Sequence, residues 1–260
     1  MRAIWSGAIG FGLVNIPVKM YSAVQESSLD LDMLDKHDNA NIKFQRVNAE
    51  TGEEVAYGDI VKGYKLNNSY VVLDDEDFEA ASPKKSQIVE IDEFVEAEKI
   101  DGMFYETPYY LAPDKGGEKA YALLRDALED SGKVGIGTYV MRGKQHLCML
   151  RPVEDAIVLL RLRFEEEIRS TAELPLPGKV AAKPAELKMA KALIEHLTPK
   201  TFSLKKYKDT YHQDLLKIIR AKAKGKEYRE PQFKVVKTAA KDLMAELKAS
   251  LEAPKGRKRA

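Results

Sequence analysis

Residues 2–22 read RAIWSGAIGFGLVNIPVKMYS. Apolar residues recur there in short runs, β-branched and aromatic, broken by Gly, Asn and Pro. That is a strand pattern, and it gives two candidate strands, Ser6–Val14 and Val18–Val24, with Asn15, Ile16 and Pro17 between them. Gly7-x-x-Gly10-x-Gly12 is glycine-rich, and so is Gly132-x-x-Gly135-x-Gly137 further on. Both sit against strands and not at a strand-to-helix turn. They read as tight bends or bulges in a barrel, not as a dinucleotide loop.

The same pattern runs outward over residues 1–170. Further candidate strands are Ile42–Val47, Tyr70–Leu73, Gln87–Ile91, Met103–Leu111, Gly135–Met141, Gln145–Arg151 and Ala156–Phe164. Many short strands with turn signals between them point to a barrel or sandwich. Gly143-Lys144 reads as a hairpin turn. One helix interrupts, Gly116–Ser131, with Tyr121, Leu124, Ala127 and Leu128 at helical spacing and Gly132 as its stop. Residues 171–184 hold three prolines and a glycine and read as a linker or strap. Beyond them the period is 3.6. Ala185–Leu197 opens on Pro184, and Thr210–Ala223 and Thr238–Leu251 follow, each with one apolar stripe and a lysine-rich opposite face. Residues 252–260 carry no stripe and are expected to be a basic disordered tail. The fold class is therefore α+β and β-rich: a barrel core over 1–170, a linker over 171–184 and a helical C-terminal arm over 185–251.

Charge is sorted along the chain. Residues 1–120 carry a balance of −11, residues 121–180 are neutral, and residues 181–260 carry +12, against +1 for the whole. An acidic body with a basic last third suggests a polyanion or an acidic partner for the arm. Apolar residues make up 44% and charged residues 32%, which allows a real core in a well-solvated protein. No run of 18 apolar residues occurs, so no transmembrane helix is expected. The opening residues Met1–Gly7 do not read as a signal peptide. Cys148 stands alone, which excludes an intrachain disulfide and a thiol-metal cluster and fits a reducing cytoplasm.

Catalytic patterns are missing. There is no Walker phosphate loop, no His-Glu-x-x-His and no Gly-x-Ser-x-Gly. His37, His146, His196 and His212 are scattered without ligand spacing, and the acidic runs Asp74–Asp77 and Glu165–Glu167 fan out rather than converge. Lys99-Ile100-Asp101-Gly102 fits the Lys-x-Asp-Gly nucleophile pattern of ATP-dependent nucleic-acid ligases. However, Phe104 stands where those enzymes carry Arg, and their other motifs are not recognisable. A divergent nucleotidyltransferase using Lys99 is thus the enzymatic alternative.

What remains is binding. Basic residues are dispersed in the β region at Lys43, Arg46, Lys62, Lys65, Lys84, Lys85, Arg142, Lys144, Arg161 and Arg163, several with aromatics beside them, namely Phe44, Tyr64 and Tyr139. Lys and Arg neutralise phosphates without reading sequence. The C-terminal helices could form a helix-turn-helix, but Asn, Gln and Arg are sparse there, so base readout is not expected. A general nucleic-acid-coating β-barrel without end preference is the second alternative.

A resemblance sharpens this. Arg2–Gly7 followed by Phe11–Tyr21 strongly resembles the start of the prokaryotic Ku proteins. So do Gly63-Tyr64, Pro83–Ser86 leading into Ile88–Ile91, Tyr109–Pro113 and Met149–Pro152, and so does Tyr207-x-Asp209-x-Tyr211 with Leu215, Ile219, Ala221-Lys222 and Lys224-Gly225. The likeness covers residues 1 to about 230. It implies a homodimer whose barrels and crossing bridges form a ring threaded by a double-stranded DNA end. It also implies sequence-independent binding, and recruitment of an ATP-dependent DNA ligase for non-homologous end joining, without enzymatic activity of its own. The bridge is expected within 28–75, placing Lys43, Arg46, Lys62 and Lys65 near the DNA, with Lys84, Lys85, Arg142 and Lys144 as further DNA contacts. The tail residues Lys255, Arg257, Lys258 and Arg259 would touch DNA outside the ring. Lys205, Lys206, Lys222 and Lys224 are the candidate ligase-docking residues. Some family members carry Cys-x-x-Cys near Val47–Gly52; Asn48-Ala49-Glu50-Thr51 stands here, so neither a metal nor a cofactor is expected. The expected location is the cytoplasm, in association with the nucleoid.

Overall fold

The structure, a computed structural model, describes residues 1–25, 29–81, 87–178, 183–225, 248, 250 and 251. Nine strands lie among them: β1 (Trp5–Phe11), β2 (Val14–Ser22), β3 (Lys62–Leu66), β4 (Ser69–Leu73), β5 (Ile88–Glu96), β6 (Tyr105–Pro113), β7 (Lys133–Met141), β8 (Lys144–Val153) and β9 (Ala156–Leu162). The helices are α1 (Asp75–Ala81), α2 (Glu118–Ser131), α3 (Pro184–Leu197) and α4 (Thr210–Ala223). Seven strands close a barrel in the order β1-β2-β6-β9-β8-β7-β5, and β3 with β4 forms a separate two-stranded sheet. Closure is made by β1 and β5, which pair in parallel from Ala8 opposite Ile88 to Gly10 opposite Glu90. A closed sheet has no free edge to template aggregation.

The chain falls into two compact units, one of residues 1–26 and 30–171, the other of 27–29 and 172–260. In the first, consecutive residues of β8 and β9 point to opposite faces, and both faces are apolar. Ile9, Ile16, Val18, Leu111, Tyr139, Cys148, Leu150 and Leu159 form one buried cluster. Val134, Met149, Leu160 and Leu162 form another. Each buried aliphatic side chain stabilises by about 1.5–3 kcal/mol. The helix expected over 116–131 is α2. It adds Tyr121, Leu124 and Leu128 to the first cluster and ends on Gly132 at φ 63°. The Tyr121 hydroxyl donates to the Leu111 carbonyl at 2.6 Å and accepts from the Ile157 amide at 2.7 Å, tying α2 to β6 and β9.

Turn chemistry moved two boundaries. The first hairpin turns at Gly12-Leu13, with Gly12 at φ 57°, so Val14 opens β2 rather than ending β1, and Asn15–Pro17 belongs to β2 and not to a break between strands. Pro17 stands opposite Ala8 in the β1–β2 pair, but its carbonyl accepts from the Asp114 amide on the β6 side, so its nitrogen faces that side too, where pairing runs only from Val18 onward and no ladder bond needs the missing N–H. The β7–β8 turn is Arg142-Gly143, both at positive φ (54° and 77°), the two-residue form suited to a right-twisted hairpin. Gly137 is required by crowding: a β-carbon there would run into the Glu90 carbonyl, beside the irregular register of β5 between Ile91 and Glu93. The strand expected over Ile42–Val47 is not one. That stretch holds only the isolated bridge of Val47 with Glu54 and follows another, Leu34 with Asn41, and it lies between turns closed by Asp35 and Asn48 side chains.

In the second unit, α3 opens on Pro184 as expected, and α4 is capped by Asp209, whose carboxylate accepts from the His212 amide at 3.3 Å. The helix expected over Thr238–Leu251 lies almost wholly outside the described residues.

Candidate nucleic-acid interface

The strand directions sort the barrel into two rims. β1 and β5 begin at one rim, where β2 and β7 end; Trp5 pairs with Met20 and its indole N–H donates to the Val140 carbonyl at 3.2 Å. The chain leaves this rim after Ser22 and returns at Ile88, and the β7–β8 turn stands at the same rim. Arg142 and Lys144 are therefore brought to the root of the long excursion that carries Lys43, Arg46, Lys62 and Lys65. α2 stands at the other rim.

Not one described residue of the excursion, 29–81, is buried. Leu31, Met33, Phe44, Tyr57, Tyr64 and Tyr70 are 57–80% exposed. A two-stranded sheet is marginal by itself in water, and an apolar surface of this extent marks a contact site. Its cations are placed differently from one another. The Arg46 guanidinium lies 5.1 Å from the centre of the Tyr57 ring, and the Lys62 ammonium 4.5 Å from that of Phe78. Cross-strand register puts Lys62 with Tyr64, Leu66, Val71 and Leu73 on one face of the β3–β4 sheet. Lys65 stands on the other face with Tyr70 and Val72. The sequence grouped these lysines, but three residues along a strand reverse the face. The Asn67-Asn68 pair between Leu66 and Ser69 was the available sign of this hairpin, and Asn67 takes φ 54° there.

Other cations of the barrel are committed inward. Arg161 pairs with Glu106 at 2.9 Å, and Arg163 donates to the Tyr105 carbonyl at 2.7 Å. Beside them the Tyr139 ring packs on His146 at 5.3 Å, and the buried Tyr139 hydroxyl has no partner among the described residues. Burial, and then the nearby Arg161 charge, hold His146 below its ordinary value of 6.5. Burial also pushes the Cys148 thiol well up, leaving it unreactive. Lys99 sits on the surface and pairs with Glu96 at 2.6 Å, which raises its pKa. A lysine nucleophile needs the reverse. No group of metal-binding side chains occurs among the described residues, and no helix there is long and apolar enough to cross a membrane.

Lys205 and Lys206 lie in a single 3-10 turn, and Lys222 and Lys224 at the end of α4. Lys84, Lys85, Lys255, Arg257, Lys258 and Arg259 lie outside the described residues.

A closed seven-stranded barrel with a long, exposed, apolar and cation-bearing excursion defines a barrel protein built to present an arm outside its own core. Residues 10–189 match the Ku70/Ku80 beta-barrel domain family. A non-homologous end joining protein Ku of Archaeoglobus fulgidus is 43% identical over 98% of this chain and all of its own length. The Ku proteins of Pseudomonas aeruginosa and Bacillus subtilis are 42% and 38% identical, over 85% and 97% of this chain and 77% and 82% of theirs. The chain belongs to the Ku family. That membership agrees with the expectation, set from the sequence, of a protein that is not an enzyme.

Proposed function

We propose that the chain acts as a homodimer that binds double-stranded DNA ends without reading their sequence, in non-homologous end joining. The excursions of the two copies would meet through their apolar faces and close a ring around the duplex. The observation that carries this is the excursion itself: residues 29–81 bury nothing in one copy, yet carry large apolar side chains and cations from a basic rim. The face of β3–β4 bearing Tyr64, Leu66 and Val71 is the one suited to protein, and the face bearing Lys65 the one suited to phosphates. Phosphate contacts position a protein but carry no sequence information, so a ring discriminates by topology: a linear duplex has an end to enter. Lys84, Lys85 and the tail cations Lys255, Arg257, Lys258 and Arg259 add charge along the same polyanion. An ATP-dependent DNA ligase is the recruited partner, with Lys222 and Lys224 among its docking residues. The protein then works at the nucleoid, in the cytoplasm.

The test is the double substitution Tyr64→Asp with Val71→Asp. The two side chains are opposite each other and exposed, so the barrel should fold unchanged. Light scattering should report a monomer, and binding to a linear duplex should collapse. A variant that stays dimeric and binds ends normally refutes this placement of the interface.

A further inference from the structure

The segment between α3 and α4 carries Lys200, Lys205, Lys206 and Lys208, and among the described residues none of these pairs with a carboxylate. Its one acidic residue, Asp209, is turned to its own backbone as the cap of α4. Ser203 accepts from the Lys205 amide at 3.2 Å and starts the turn Leu204–Lys206. That turn brings the Phe202 and Tyr207 rings to 6.4 Å between centres, inclined at 48°. The Lys206 ammonium lies over both, at 5.5 Å from the first ring and 5.0 Å from the second. Each aromatic residue is 65% exposed.

We propose that this cluster is a binding site for single-stranded nucleic acid, taking the unpaired overhang of a broken duplex. Uncompensated lysines select a polyanion. Exposed aromatic faces select bases whose own faces are free, which are unpaired ones; inside a duplex those faces are already stacked. The Lys206 side chain is exposed and long enough to swing off the rings toward the phosphate of a base that stacks on them. The site would take Lys205 and Lys206 for the strand and leave Lys222 and Lys224 to the ligase. It rests on the DNA-end reading only for the source of the strand.

The experiment compares three labelled probes with the full chain: a blunt duplex, the same duplex with a thymidine tail of about 15 nucleotides, and the tail alone. Phe202→Leu with Tyr207→Leu keeps apolar bulk and removes the ring faces, while Phe202→Ala with Tyr207→Ala removes both. The parent should bind the tailed duplex more tightly than the blunt one, and both variants should lose that preference by on the order of 10-fold per ring, with blunt-end affinity unchanged. Equal affinity of the parent for tailed and blunt duplex overturns the proposal and leaves end binding intact. A leucine variant that behaves as the parent while the alanine variant fails, or a change in dimer mass or ligase capture with overhang binding intact, makes the rings a protein contact and also overturns it. If the parent binds no ends at all, the end-binding reading fails, and the tail alone decides the cluster: binding that the leucine variant loses upholds it, and no binding refutes it.

Discussion

Replacing Lys65 by Ala removes two cations from the proposed homodimer, one per copy. Lys65 stands on the β3–β4 face that carries few apolar groups, whereas Lys62 stands on the apolar face with its ammonium over Phe78. If each Lys65 meets one phosphate, the slope of log affinity against log salt becomes shallower by about 1.8, at about 0.9 per contact. Between about 50 and about 200 mM salt that slope difference is worth roughly 1.1 decades, so the parent's affinity falls about 12-fold further than the variant's. Lys62→Ala should leave the slope unchanged. The assay is fluorescence anisotropy on a linear duplex across a salt series, with two unrelated sequences giving the same slopes. An unchanged slope for Lys65→Ala, or equal changes for both lysines, refutes the division of the hairpin into a DNA face and a protein face.

Two tyrosines should respond oppositely to loss of the hydroxyl. Tyr121→Phe leaves the Leu111 carbonyl and the Ile157 amide unpaired in the core and should cost about 1–3 kcal/mol in denaturant unfolding. Tyr139→Phe removes a buried hydroxyl that has no partner and should be neutral or stabilising in the same titration. Gly137→Ala drives a methyl into the Glu90 backbone and should lower the melting temperature more than Gly102→Ala, which meets open space. His146 is held below 6.5 in the folded barrel, so the unfolded chain takes the proton first as pH falls. Stability should therefore drop as pH goes down through about 6.5, and His146→Gln should flatten the melting-temperature profile there.

Residues 1–22 made a barrel legible because two apolar strand runs met glycines that could only be turns or close approaches. The helix α2 was legible from its 3.6 period and Gly132. The exact turns were not: Asn15–Pro17 resembles a break until the β1–β2 register carries the strand through it, with Pro17 opposite Ala8. The excursion was misjudged in a physical sense as well. Ile42 and Val47 have strand-forming side chains, but their stretch buries no residue and pairs only through an isolated bridge, so turns closed by Asp35 and Asn48 prevail over propensity. Of the candidate site, the residue types were readable and their grouping was not. Facing depends on register, which separates Lys62 from Lys65, and on commitment elsewhere, which withdraws Arg161 to Glu106 and Arg163 to the Tyr105 carbonyl.

The central claim, binding to an end through an enclosed ring, is tested most directly by one duplex prepared in two forms, linear and covalently closed circular, at equal concentration and salt. The account predicts saturable binding to the linear form, retained in the presence of a large excess of the circle, and loss of protein from the linear form only through its ends. Equal affinity for the circle contradicts the ring and leaves a protein that coats DNA wherever phosphates are offered.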